Sequence, residues 1–133
     1  MKPRNAHDTP MPTGAELDIL QVLWRAGPST VRQVHEALYK DEGAGYTTAL
    51  KLLQVMHGKG LVERDDAQRA HVYRAVGSRS NTQQRFVSDL VQRVFQGSAP
   101  QLVMQALGQG QVATREEIAE IRAMLDSLEG DRA

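Results

Sequence analysis

The stretch TTALKLLQ, residues 47 to 54, carries Thr47, Thr48, Lys51 and Gln54, whose side chains together can recognise a patterned polar surface. Glutamine offers a donor and an acceptor that match the adenine edge in the major groove of B-DNA. Lysine donates to guanine, and threonine meets a thymine methyl or a phosphate. Ala49, Leu52, Leu53 and Met56 recur at i, i+3, i+4 and i+7 on the opposite side, the spacing of a helix with one buried face. An ordinary solvated helix face has the same composition, so the surrounding elements must decide between the two readings. Leu50 and Val55 fall off the buried stripe and are candidates either for thymine methyls or for packing on the next element.

Phosphate contacts position a protein on a duplex without reading sequence. Lys59, Arg64, Arg69 and Arg74 cluster just beyond the helix, with His57 and His71 nearby. Arg69 sits where it can enter a minor groove, and Asp65 and Asp66 in the same segment oppose it. Each cation alone is equally a solvated surface charge; their clustering carries the weight.

The elements that position these residues can be read outward from the helix. Thr13-Gly14-Ala15-Glu16 has the form of a capping box and predicts a first helix to about Arg25, with Leu17, Leu20 and Trp24 as its inward stripe and Ile19 and Leu23 beside it. Gly27-Pro28 stops it. Ser29 or Thr30 caps a second helix to about Lys40, with Val31, Val34, Ala37 and Leu38 as its apolar positions. DEGAG cannot continue a helix cheaply, so Thr47 or Thr48 opens the third, which ends at Gly58 and Gly60. The period then changes from 3.6 to 2. LVER and HVYRAV flank the polar DDAQRA and predict a hairpin with a charged tip. Three short helices followed by a hairpin make a winged helix-turn-helix with the third helix in the reading position.

From Ser80 onward the pattern is helical. Phe86, Leu90 and Val94 recur at i, i+4 and i+8, a short helix covers about Gln101 to Leu107, and Thr114-Arg115-Glu116-Glu117 caps a last helix. In that helix Ile118, Ile121, Leu125 and Leu128 follow heptad spacing. Such slight amphipathic helices are suited to packing against a second copy. The expected fold is mainly α with a small β-hairpin: an N-terminal arm over 1–12, a winged helix-turn-helix over 13–78 and a helical dimerisation tail over 79–133.

Bulk properties narrow the choice of partner. The 133 residues include sixteen basic and sixteen acidic side chains, so attraction to a polyanion must come from local patches. No cysteine is present, which excludes disulfides and thiolate metal sites. MKPRNAHDTPMP has no apolar core of the signal-peptide kind. No apolar run approaches the roughly 20 residues of a membrane span, and a cytoplasmic location is expected.

With those residues in place, the chain resembles the penicillinase-repressor (BlaI/MecI) family of winged-helix regulators over about Thr13 to Leu128. The resemblance is carried by AELDILQVLW, STVRQVHEAL, TTALKLLQVMHGKGLVERD, HVYRAV and the trihelical tail. It implies a homodimeric repressor on a palindromic operator, commonly of TACA/TGTA type, controlling β-lactamase or related resistance genes. It also implies release through cleavage driven by a membrane metalloprotease sensor. The chain departs from the best-known members at Gln105-Ala106, where they carry Asn-Phe, and at Leu50 and Val55, where they carry arginines. The cysteine-rich copper hook of one branch of the family is missing.

An enzyme needs a nucleophile with its base or a spaced ligand set. His7, His35, His57 and His71 show no His-x-x-x-His spacing and no serine lies in a Gly-x-Ser-x-Gly turn. Neither a catalytic residue, a metal ligand nor a cofactor is expected. The rival from another class is a winged-helix protein-interaction module without DNA binding, which the zero net charge and acidic tip favour.

Overall fold

The computed structural model describes residues 9–40, 45–110 and 113–132. The chain divides into two compact units, residues 1–89 and 90–133, and the division falls inside a helix.

In the first unit the order is α1 (Gly14–Ala26), β1 (Ser29–Thr30), α2 (Val31–Leu38), α3 (Tyr46–Lys59), β2 (Val62–Asp65), β3 (Val72–Ala75) and the start of α4 (Arg79–Arg93). The Thr13 capping box forms: its hydroxyl accepts from the Glu16 amide at 3.2 Å, and the Glu16 carboxylate accepts from the Thr13 amide at 2.9 Å. Gly27 closes α1 at φ 83° and ψ −171°, a conformation open essentially to glycine alone. The inward stripe of α1 is displaced from the expected one. Ile19, Leu20, Val22 and Leu23 are buried, while Leu17 and Trp24 are half-buried, because α1 is covered by α2, α3 and β3 together rather than along one line.

Thr30 caps α2, with Gln33 completing a second box. The helix ends at Leu38, short of Lys40; Ala37 faces solvent and Leu38 is half-buried. Most of the DEGAG segment, residues 41–44, lies outside the described residues. The expected opening of α3 by Thr47 or Thr48 is corrected: Gly45 is the N-cap and offers no side-chain bond, so both threonines lie inside the helix. Gly58 is helical too, and the chain turns at Gly60, where φ 83° and ψ 13° give a left-handed cap.

The hairpin forms with Glu63 opposite Arg74 and Arg64 opposite Tyr73. A third strand joins it. Ser29 and Thr30 pair with Tyr73 and Val72, giving the antiparallel order β1-β3-β2. The core gathers Ile19, Val34, Ala49, Leu53, Met56, Val62 and Tyr73, each nearly or wholly buried. Full burial of the Val, Leu, Ile and Met side chains among them stabilises by about 1.5 to 3 kcal/mol apiece before entropy is counted.

The second unit holds the end of α4, α5 (Ala99–Leu107) and α6 (Arg115–Gly130). Ser98 caps α5, which begins earlier than Gln101, and Thr114 and Glu117 form the expected box on α6. The two bonds from Thr114 hold the Glu117 carboxyl below its ordinary value. Among the described residues of this unit, Val91 is the buried apolar side chain; Leu90, Val94, Ile118, Leu125 and Leu128 are exposed.

Candidate nucleic-acid interface

At 1.5 Å per residue, the 14 residues of α3 span about 21 Å, enough to lie along several base pairs of a major groove. One side of the helix is pinned: Ala49, Leu53 and Met56 have no exposed surface. Thr47, Thr48, Lys51 and Gln54 are all exposed, which follows from the helical period once those three residues are fixed inward.

The two ambiguous apolar residues separate. Leu50 is half-buried and packs on the core, whereas Val55 is 50% exposed. Val55 follows Lys51 by four residues and Thr48 by seven, so it shares their side of α3. Sequence reasoning left its role open, since a valine among leucines gives no sign of which face it takes. Tyr46 adds an aromatic ring to the same helix. It sits exposed in the first turn of α3, its ring edge-on to His35 with centroids 6.4 Å apart.

The wing cations are less free than their clustering suggested. Lys59 Nζ lies 2.7 Å from Glu16 Oε2, and the Glu16 side chain is almost wholly enclosed. Burial pushes the Glu16 carboxyl up, but the bonds from Lys59 and Thr13 together outweigh it and hold the group below the ordinary carboxylate value. Arg74 is ion-paired across the strands with Glu63. The Arg64 guanidinium, raised by its bond with Tyr73 and then by Asp66, is paired with Asp66 at 2.8 Å. Asp66 also lies 3.6 Å from His71 Nε2. Arg69 is exposed at the tip with no ion partner among the described residues. The structure thus brings Arg64, Arg69 and Arg74 onto one hairpin and ties Lys59 back to the start of α1.

No group of histidine and carboxylate side chains that could hold a metal ion occurs among the described residues. No helix among them is long and apolar enough to cross a membrane.

A family model described as penicillinase repressor matches residues 12–127. The chain belongs to the penicillinase repressor family. Its similarity to the transcriptional regulator BlaI from two strains of Mycobacterium tuberculosis is 43% identity over 65 residues, 48% of this chain and 47% of each relative. The chain therefore matches about half the length of these curated relatives. Transcriptional regulator Tm0710 from Thermotoga maritima, a solved structure, aligns at 21% identity with a TM-score of 0.45, over 89% of this chain and 74% of that one.

Proposed function

We propose that the protein is a cytoplasmic, sequence-specific DNA-binding repressor that acts as a homodimer on a palindromic operator. The observation that carries this reading is the division of α3: Ala49, Leu53 and Met56 lock one side into the core and leave Thr47, Thr48, Lys51 and Gln54 outward. Membership in the penicillinase repressor family supports it. Gln54 and Lys51 read base edges, Val55 and the threonines meet thymine methyls or phosphates, and Lys59, Arg64, Arg69 and Arg74 supply the charge that holds the duplex. The family resemblance makes β-lactamase or related resistance and stress genes the first targets to examine.

Dimerisation is supported by the apolar side chains that the second unit leaves in solvent, Leu90, Val94, Ile118, Leu125 and Leu128, with Ile121 partly covered there and Phe86 partly covered on the part of α4 that belongs to the first unit. Joining two half-site readers raises the effective concentration of the second, often by orders of magnitude. A membrane sensor protease is a further family-based partner. Gln105 and Ala106 lie exposed within α5, so a protease cutting there must first unwind the end of that helix.

The second reading, an interaction module that does not bind DNA, is favoured by the carboxylates that engage Lys59, Arg64 and Arg74. Selection of bound sequences from random duplexes separates the two. A repressor enriches a palindrome, and its affinity falls steeply with salt in proportion to the phosphates neutralised. Gln54→Ala should then cost about 1 to 3 kcal/mol against one base pair of each half-site. Failure to enrich any sequence at low salt removes the repressor reading, and unchanged binding by the variant removes Gln54 as a reader.

A further inference from the structure

A cleft of about 360 Å³ opens in the first unit, within the size range of small-molecule sites. Leu20, Trp24, Leu61 and Val76 give it an apolar wall, and Asn81, Thr82 and Arg85 of α4 give it a polar one. No aspartate or glutamate is among the described residues that line it. The indole N–H of Trp24 donates to the Gly77 carbonyl at 2.9 Å, so the ring presents its hydrocarbon surface rather than a donor. The Arg79 guanidinium stands 6.0 Å from the centroid of that ring, within the range of a cation–π contact. Arg85 donates one N–H to the Thr9 carbonyl. That bond fixes the position of the guanidinium, which carries five N–H donors in a planar fork suited to a carboxylate.

We propose that this cleft binds a small organic anion, a monocarboxylate with an aromatic or branched apolar body. Arg85 takes the carboxylate, Asn81 and Thr82 complete its hydrogen bonding, and the body lies along Trp24, Leu20 and Val76. Charge selects the ligand: one wall carries a guanidinium, a second guanidinium sits over the indole, and no carboxylate among the described lining residues repels an anion. The site also touches the end of α3, because Gly60, its left-handed cap, and Leu61 both line the cleft. Its occupant therefore bears on the seat of the helix that carries Lys51 and Gln54. Binding at this cleft does not depend on what α3 recognises.

Trp24 is the single tryptophan of the chain, which makes its fluorescence a local reporter. The full chain is titrated with phenylacetate and, in parallel, with phenylacetamide, its uncharged isostere. Phenylacetate should give a saturable change in Trp24 emission and shift the indole N–H resonance, with a Kd of about 0.1 to 1 mM for a ligand of roughly ten heavy atoms. Phenylacetamide and the Arg85→Gln protein should each bind about tenfold or more weakly, and Arg85→Lys should recover part of the affinity. The Trp24 indole resonance of each unliganded variant reports whether the cleft is intact. The proposal is overturned by equal responses to acid and amide in the wild-type protein, which needs no variant to fold. It is overturned also by wild-type affinity in Arg85→Gln, or by no saturable response up to about 10 mM.

Discussion

Replacing Lys59 by Met tests whether α3 is held by charge as well as by packing. The Lys59 ammonium lies 2.7 Å from Glu16 Oε2 and joins the last turn of α3 to the first turn of α1. Two unit charges at 2.7 Å attract by about 6 kcal/mol at an effective dielectric near 20. Desolvation of the carboxylate offsets much of that attraction. The Lys59 side chain keeps 31% of its surface while Glu16 keeps 2%, so the loss should fall below the 3 to 5 kcal/mol of breaking a fully buried pair, at about 2 to 3 kcal/mol. Methionine preserves the apolar stem, which isolates the charge from the packing.

The pH dependence gives the sign. Glu16 in the folded wild-type protein is held below its ordinary value, so its contribution is present above about pH 4.3 and is lost as pH falls through the folded value. In the Lys59→Met protein burial acts on Glu16 without its strongest opponent, and the group protonates at higher pH. Urea unfolding at fixed protein concentration should show the gap between the two proteins at its widest near neutrality and closing below about pH 4. A Glu16→Gln, Lys59→Met cycle should show the double variant losing less than the sum of the singles. Neutral-pH stability of Lys59→Met within about 0.5 kcal/mol of wild type refutes the reasoning.

Further outcomes follow from burial and charge. Leu53→Ala should cost about 2 to 5 kcal/mol in urea unfolding, because the side chain has no exposed surface. Val55→Ala, on the exposed side of the same helix, should stay within about 0.5 kcal/mol in the same measurement and weaken operator binding instead. Arg69→Ala should lower the slope of log affinity against log salt by about one, measured by fluorescence anisotropy on the selected duplex. Arg74→Ala should change it less, since Glu63 already holds that guanidinium. Leu90→Glu combined with Leu125→Glu should give monomers in light scattering, and dimers that persist would move the interface elsewhere.

What the sequence by itself determined is the order of the helices and the hairpin, the capping boxes of Thr13 and Thr114 and the outward set Thr47, Thr48, Lys51 and Gln54. These features depend on contacts within a few residues, or on a period that repeats along one helix, so they can be read before folding. Caps of Thr13 and Thr114 bond to the backbone three residues on, and no distant partner is required. Tertiary structure decided the rest. β1 is two residues long and is a strand because β3 passes beside it; in sequence Ser29 and Thr30 show only their capping role. The inward faces of α1 and the fates of Leu50 and Val55 depended on which neighbours arrived and where. Glu16 is the clearest case: a local signal placed it in a cap, while its burial and its pairing with Lys59 join residues 43 positions apart. Local hydrogen bonding is encoded in adjacent residues, whereas burial and ion pairing belong to surfaces that exist only after distant segments meet.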